Sequence, residues 1–380
     1  KAWLNNVPGR DWVCWQGEIC APGIQKNPHN LSETHFYCFH WTDNVNGRRD
    51  IRDAIVDWKS YNMETVPIVC DNYIMPTGVM LTSLFENNKD INVNIHLLHG
   101  GLTDDHIEQI THQVNIYGQN IIFYRMDDNL FSDFPIGKSY QTDHVGSSMA
   151  TYYRLFLSRV LSDNIEKVIY LDGDILVMGS LKGLWNIDMS EKAIAAVPDS
   201  YNNDITHYNR LRYSQEQGYF NAGVLLINLK YWREHKVESI FLDYVINYPE
   251  RLACHDQDVM NYVFKDVKIE LPIKYNMLNE YWFNVRYSLI SWEYEQQILD
   301  GQKNPVIIHF TCIPKPWYKN CKHPYKKMFD KYKSMSLWSN VKEKHWLRIK
   351  YLLEQFFIKS IVFIGLRKND YIIENRYIKI

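Results

Sequence analysis

Several features that identify common protein classes are missing from this 380-residue sequence. No run of eighteen apolar residues occurs, and residues 1–20 hold no apolar core of the signal-peptide type, so neither a membrane span nor a secretory leader is indicated. The seven cysteines are odd in number and show neither close pairing nor repeated spacing, which argues against a zinc module and a disulfide scaffold. We therefore expect reduced thiols and a cytoplasmic location.

A surplus of one charge is missing as well. The 42 lysines and arginines nearly balance the 44 acidic residues, so no general attraction to nucleic acid or anionic lipid is expected. Basic residues gather only after Lys315, without a readout motif, and we expect no nucleic-acid partner. With 46% hydrophobic and 14% aromatic residues, the chain can bury a large core and also offer rings for sugar stacking.

Residues 168–177 combine the pattern of a buried strand with two carboxylates. Asp172 and Asp174 fall where that strand ends or bulges, and in an extended chain both side chains point the same way. Gly173 between them lets a ligand approach the backbone closely. Two neighbouring carboxylates in an apolar setting require a compensating cation, and hard oxygen ligands favour Mg²⁺ or Mn²⁺. A polar turn is the alternative interpretation of Asp-Gly-Asp taken alone.

The composition changes near Met63, the first methionine. Residues 1–62 hold three of the seven cysteines and little sustained periodicity, so we expect an atypical N-terminal appendage of unknown role, arising from a fragment or a misassigned start. From residue 63 onward, strand and helix patterns alternate. This order predicts an α/β fold with a mostly parallel, mixed sheet and helices on both faces. Helices are predicted over residues 149–160 and 231–248.

Residues 318–380 form a basic, partly amphipathic region in which a helix is predicted over residues 341–366. Such a helix can lie on an anionic membrane, which would place the protein peripherally on the inner face of the membrane. Docking on its own domain is an equally good interpretation.

Six segments in collinear order together resemble the retaining glycosyltransferases of family eight, the group that includes bacterial lipopolysaccharide galactosyl- and glucosyltransferases and glycogenin. The segments are DNY (71–73), MATYYRL (149–155), YLDGD (170–174), YFNAGVLLINL (219–229), HDQD (255–258) and HFTCIPKPW (309–317). The resemblance covers residues 63–317 and implies a GT-A fold, a Rossmann-like nucleotide-sugar domain. It also implies a UDP-hexose donor, Mn²⁺ or Mg²⁺, and a glycan or lipid-linked saccharide as acceptor.

The resemblance also implies roles for individual residues. Asp172, Asp174 and His309 match the metal ligands, and Lys315 matches the lysine that contacts the donor diphosphate. Gln257 and Asp256 match groups at the reacting sugar carbon and are the candidate catalytic residues. Eleven matched residues, two of them also named above, are expected to bind the nucleotide-sugar: Asp71, Asn72, Tyr73, Arg154, Asp172, Gly173, Asp199, Asn221, Ala222, Cys312 and Lys315.

Two cysteines depart from the family pattern. Relatives often carry an acidic residue where Cys70 stands and a glycine where Cys312 stands, which puts uridine selectivity and the fit of the phosphate-closing loop in doubt. The two cysteines leave a catalytically degenerate carbohydrate-binding module open as an alternative. Among enzymes, the resemblance implies a front-face retaining transfer. An inverting GT-A transferase with Asp199 or Asp258 as base, a sugar nucleotidyltransferase, and a double displacement with Gln257 or Asp256 as nucleophile also stay open.

Overall fold

The structure is a computed structural model of the chain. It describes residues 12–15, 37–40, 62–131, 134–135, 149–282, 290, 292–312 and 314–344. The chain divides into two compact units, Lys1–Asn62 and Met63–Ile380, and in the first unit the two described strands pair antiparallel. The expected roles of residues 1–62, 63–317 and 318–380 as separate regions stay predictions. Within the described part, no helix has both the length and the apolar character needed to cross a membrane.

Twelve strands are present among the described residues. They are β1 Trp12–Trp15, β2 Tyr37–His40, β3 Asn62–Val69, β4 Asn92–His99, β5 Asn120–Arg125, β6 Lys167–Leu171, β7 Ile175–Val177, β8 Ile194–Pro198, β9 Phe220–Asn228, β10 Lys268–Glu270, β11 Met277–Leu278 and β12 Ile307–His309. Seven of them form the central sheet in the order β10-β8-β9-β6-β3-β4-β5. β9 runs antiparallel to both of its neighbours, whereas β6 is parallel to β3 and β4 is parallel to β5. The predicted α/β class with a mixed sheet is confirmed.

Ten α-helices accompany these strands in the described part. They are α1 Ile74–Glu86, α2 Asp104–Ile116, α3 Leu157–Val160, α4 Lys182–Trp185, α5 Ile205–Leu211, α6 Leu229–Glu234, α7 Val237–Asn247, α8 His255–Phe264, α9 Glu295–Lys303 and α10 Lys326–Met335. The sequence explains α2 well, because the Thr103 side chain caps its first turn and Asp104 and Asp105 complement the helix dipole.

The centre of the sheet is buried on both faces. Val168, Ile169, Tyr170 and Leu171 of β6 are all at most 1% exposed, and consecutive strand residues point to opposite faces. An uninterrupted apolar run is what such a doubly covered strand requires. This burial leaves the carboxyl end of β6 as the place where polar chemistry can begin.

A second, three-stranded sheet positions the residues that follow β6. The chain leaves the central sheet at Leu171 and enters the small sheet at Ile175, so Asp172 to Asp174 span the step between the two sheets. β12 pairs antiparallel with β7, with His309 opposite Ile175, and β11 pairs parallel with β12. This register brings the end of β12 to the acidic step.

Two helix predictions need correction. Residues 149–160 form a 3₁₀-helix over Met149–Phe156, and only Leu157–Val160 is α-helical. The helix predicted over 231–248 is two helices, α6 and α7, broken at Lys236, which adopts a left-handed conformation. The rings of Trp232 and Phe241 pack edge to face with centroids 5.3 Å apart. One straight helix would separate residues nine apart by about 13 Å, so core packing requires the break.

The helix predicted over residues 341–366 is wrong at its start. Residues 341–344 are not helical, because Lys344 forms a backbone bridge with Tyr318 and its carbonyl accepts from Lys319 N–H. The rest of that segment lies outside the described residues, and its predicted membrane contact stays a prediction.

Candidate active site

Three side chains that are far apart in the sequence converge at the step between the two sheets. One ligand atom each from Asp172, Asp174 and His309 lie within 4.8 Å of one another. His309 Nε2 is 3.3 Å from Asp174 Oδ1 and 3.7 Å from Asp172 Oδ2. Two carboxylates and one imidazole nitrogen form a donor set that a divalent cation can bridge.

Gly223 on β9 makes this convergence possible. A Cβ atom there would lie 2.2 Å from His309 Cε1 and 2.8 Å from Asp172 Oδ2, closer than side-chain carbons approach other atoms. The backbone of β9 also fixes Asp172 directly, because Gly223 C=O accepts from Asp172 N–H at 2.9 Å. The absence of a side chain at Gly223 is therefore a geometric condition for the cluster.

The chemistry of His309 fits a metal ligand. Its Nδ1 lies 3.0 Å from the side-chain oxygen of Asn276, which can only accept, so Nδ1 carries the proton. In the neutral ring, Nε2 then presents its lone pair toward the two carboxylates, an arrangement that a cation between them stabilises. The residues present thus fit a divalent metal ion.

Lys315 places a positive charge directly against this cluster. Its Nζ lies 2.7 Å from Asp174 Oδ2 and also donates to the carbonyls of Phe310 and Thr311. Burial alone would raise the pKa of Asp174, but the Lys315 ammonium outweighs it and lowers that pKa below its usual range. Burial correspondingly opposes the charge on Lys315, while Asp174 raises its pKa. Both groups are therefore charged at neutral pH.

Arg154 connects the acidic step to β9 and α8. Its Nη1 donates to Ala222 C=O at 2.5 Å, its Nη2 donates to Asp172 Oδ1 at 3.1 Å, and its Nε forms an ion pair with Asp256 Oδ2 at 3.0 Å without hydrogen-bond alignment. The guanidinium also stacks over the Tyr170 ring. Burial disfavours its charge, yet Asp256 raises the pKa of Arg154. The side chain is a fixed, buried cation.

Asp256 and Gln257 lie in the first turn of α8. Burial raises the pKa of Asp256 despite Arg154 and a short hydrogen bond from the Thr151 hydroxyl. Gln257 Oε1 accepts from Ala222 N–H at 2.9 Å, and its Nε2 donates to Asp199 Oδ2 at 3.2 Å. Gln257 thus contacts β9, whereas Asp256 contacts Thr151 and Arg154 of the 3₁₀-helix Met149–Phe156.

A cavity of about 320 Å³ opens over these groups. Its lining includes most of the matched sugar-side residues, namely Arg154, Asp172, Asp199, Asn221, Ala222, Asp256 and Gln257. The lining also includes Leu278, Glu280 and Thr311. The cavity is polar, is of ligand size, and has fixed charges of both signs on one side.

The comparison with known sequences decides the family. The sequence model described as Glycosyl transferase family 8 matches residues 66–321. The chain belongs to this family. It is a glycosyltransferase, as the six segments predict.

Relatives of this glycosyltransferase include General stress protein A of Bacillus subtilis, 26% identical over 73% of this chain and 96% of the relative. The lipopolysaccharide 1,2-glucosyltransferase of Escherichia coli is 26% identical over 79% of this chain and 88% of the relative. The lipopolysaccharide 1,3-galactosyltransferase of Salmonella typhimurium is 26% identical over 71% and 77%.

Among solved structures, the galactosyltransferase LgtC bound to donor and acceptor sugar analogs superimposes with a TM-score of 0.65. It is 24% identical in sequence, and the match covers 77% of this chain and 100% of that chain. This likeness confirms the GT-A fold expected for the glycosyltransferase.

The segment predicted to bind the nucleotide in this glycosyltransferase, residues 71–73, lies at the end of β3. Asp71, Asn72 and Tyr73 form a short 3₁₀-helix that follows this strand. The Tyr73 ring packs edge to face on Trp317 with centroids 5.4 Å apart and lies beside Gly173. Burial is the main cause that raises the pKa of Tyr73, to about 12. The Tyr73 ring thus packs beside Gly173 of the acidic step, whereas Asn72 is exposed. Nucleotide binding by this segment stays a prediction.

The two unusual cysteines of the glycosyltransferase have different environments. Cys312 is half-buried, and its thiol donates to Glu280 Oε1 at 3.1 Å. Burial first, and Glu280 second, raise the pKa of this thiol, so it stays protonated. Cys70 is half-buried after β3, where its carbonyl accepts from Tyr73 N–H. The side chain of Cys312 is thus accommodated by a carboxylate partner, while its contact with a donor stays a prediction.

Sequence reasoning missed four residues of this site: Thr151, Tyr170, Asn276 and Glu280. Tyr170 donates to Asp172 Oδ1 at 2.6 Å, and Thr151 donates to Asp256. Asn276 carried a usable signal, since it is a polar residue directly before an apolar pair that forms a strand. Their roles depend on contacts between distant segments, which spacing does not reveal.

Proposed function

We propose that this family 8 enzyme transfers a hexose, galactose or glucose, from a UDP-sugar to a glycan or lipopolysaccharide-type acceptor, with retention of anomeric configuration and with Mn²⁺ or Mg²⁺. The observation that carries the proposal is the convergence of Asp172, Asp174 and His309 within 4.8 Å, with Lys315 at 2.7 Å from Asp174. The glucosyl- and galactosyltransferase relatives support the choice of sugar.

The charged residues match the needs of a diphosphate leaving group. Asp172, Asp174 and His309 would hold the metal, which supplies Lewis-acid stabilisation of the departing phosphate oxygens. Lys315 contributes a second, compact positive charge at the same place.

On the sugar side, polar groups surround the position expected for the reacting carbon. Asn221 and Gln257 both donate to Asp199 Oδ2, at 3.0 and 3.2 Å, and Arg154 holds Asp256 beside them. In a front-face transfer, the bond between the sugar carbon and the diphosphate oxygen breaks as the acceptor hydroxyl oxygen bonds to the same face. The hydroxyl proton then passes to the departing phosphate, and no protein base is required.

The buried position of Asp258 argues against its use as an inverting base. It is fully buried, forms an ion pair with Arg210 at 2.5 Å, and accepts from the Tyr219 hydroxyl at 2.8 Å. Asp199 lines the cavity and is the carboxylate on which the inverting alternative depends.

The test is a donor screen of the full chain with UDP-galactose, UDP-glucose and UDP-N-acetylglucosamine in the presence of Mn²⁺, with UDP release as the readout. We expect release with at least one hexose donor, loss on chelation, and an α-linked product by proton NMR. A β-linked product would establish the inverting alternative instead. Donor binding without release in any combination would indicate the degenerate module.

An Asp174→Asn variant tests the metal site directly, because it keeps the side-chain volume and removes one negative charge. Undiminished Mn²⁺-dependent turnover in this variant would contradict the metal site.

A further inference from the structure

Asn276 occupies a position between the two halves of the site that no motif assigns. It follows the 3₁₀-helix Ile273–Tyr275, directly precedes β11, and is completely buried. Its oxygen lies 3.0 Å from His309 Nδ1, and its Nδ2 donates to Asn221 Oδ1 at 2.8 Å. It is therefore, like Arg154, a side chain that connects the metal side of the cavity with the sugar side.

The orientation of each amide in this connection is fixed from the outer end. Asp199 can only accept, so the NH₂ group of Asn221 must face it. The Asn221 oxygen then faces inward, and Gly223 N–H independently confirms this by donating to it at 3.0 Å. Because the Asn221 oxygen can only accept, Asn276 must turn its NH₂ group to Asn221, which leaves the Asn276 oxygen facing His309.

We infer that Asn276 is a positioning residue that sets which nitrogen of His309 faces the metal and, through the same amide, holds Asn221 toward the sugar. The inference rests on the proposed metal site. Because the Asn276 oxygen can only accept, His309 Nδ1 must donate to it. The Nε2 atom then keeps its lone pair toward Asp172 and Asp174. One buried amide thus orders a metal ligand and a sugar-binding group together.

Two substitutions separate the two tasks. Asn276→Leu keeps the approximate volume and removes both hydrogen bonds. Asn276→Asp keeps an acceptor for His309 Nδ1–H and removes the donor to Asn221. Because Gly223 N–H and Asp199 oppose a flipped Asn221, that side chain cannot regain a partner by turning over.

The first measurement is a titration of the full chain with Mn²⁺ alone, in which the electron paramagnetic resonance signal of the unbound ion reports how much Mn²⁺ is bound. We expect Asn276→Leu to bind Mn²⁺ about 10- to 100-fold more weakly, the usual cost of losing the partner of a ligating histidine. Asn276→Asp should bind Mn²⁺ at least as tightly as the unchanged chain. Wild-type affinity in Asn276→Leu, or an equal loss in both variants, would overturn the inference.

The second measurement is the kinetics of UDP-hexose turnover at saturating Mn²⁺. Asn276→Asp should lower kcat at least about tenfold, because the introduced carboxylate faces the Asn221 oxygen with no proton between them and displaces that side chain, while Mn²⁺ affinity is kept. A merely structural role would instead lower the melting temperature and both functions in parallel. An unchanged kcat in Asn276→Asp would contradict the sugar-side task.

A spectroscopic test needs no variant of Asn276. Nitrogen NMR of ¹⁵N-histidine-labelled protein saturated with Mg²⁺, a diamagnetic ion, should show His309 with a protonated Nδ1 and a proton-free Nε2, assigned by loss of the signals in His309→Gln. The opposite tautomer would overturn the inference even if Mn²⁺ binds as proposed. If the unchanged chain binds neither ion and its His309 Nδ1 is still protonated, the metal proposal fails and the positioning of His309 stands.

Discussion

Replacing Gly223 by alanine should break the metal site through one methyl group. The new Cβ would lie 2.2 Å from His309 Cε1, whereas ordinary contact begins at 3.4 Å, so the ring must retreat by about 1.2 Å, the difference between the two distances. Metal–ligand distances tolerate deviations of only about 0.2 Å. The ring also cannot retreat freely, because a hydrogen bond to Asn276 holds its Nδ1.

The expected magnitudes follow from this overlap. Overpacking of this kind lowers the free energy of unfolding by about 1–3 kcal/mol, which leaves a folded chain that thermal unfolding can verify. Mn²⁺ affinity should fall by more than about tenfold, since a ligand is displaced rather than merely loosened. Calorimetric titration of the metal-free protein with Mn²⁺ measures the affinity, and UDP release measures the consequence for turnover.

Gly179→Ala is the matched control. Gly179 follows β7 in the same small sheet, and the nearest atom to a Cβ there is Val306 Cα at 3.7 Å, an ordinary contact. This variant should keep both Mn²⁺ affinity and stability. If Gly223→Ala binds Mn²⁺ as tightly as Gly179→Ala, the proposed ligand geometry at His309 is wrong.

Three further predictions concern buried charges. Lys315→Met leaves Asp174 without its partner, which should destabilise the metal-free chain by about 3–5 kcal/mol; Mn²⁺ should restore part of that loss in thermal unfolding while UDP binding is weakened. In Arg154→Lys, a single ammonium cannot contact Ala222 C=O, Asp172 and Asp256 together, so kcat/KM for the UDP-sugar should fall by on the order of 10²-fold. An unchanged kcat/KM would argue against a fixed cation at this position. Burial lowers the pKa of His323 to about 3, and its Nδ1 accepts from Tyr325 N–H. The unfolded chain therefore binds the extra proton first, so stability is complete above pH 6.5 and falls continuously toward pH 3; by pH 5 the loss is about 2 kcal/mol relative to pH 7. His323→Asn keeps an acceptor without a titrating ring, and denaturant unfolding should show a flatter pH dependence; an unchanged slope would count against this account.

Local sequence predicted much of the fold correctly. The apolar run at residues 168–177 indicated a buried strand that ends at two carboxylates, and β6 ends at Leu171 directly before Asp172. Strand and helix periodicities are local properties of the chain, so they can be read without knowing its partners. The same reasoning failed at Lys236 and at Lys344, where packing and pairing with distant residues override local helix preference.

By itself, the sequence determined the alternating elements, the acidic step with Asp172 and Asp174, and, through joint motifs, the family. Only the tertiary structure decided that His309 faces that step, that Gly223 leaves room for its ring, and that Asn276 orients it. The register of β12 against β7 places His309, and this pairing joins segments that are far apart in the chain. Contacts of this kind have no local periodicity, so they exist only once the two sheets have formed.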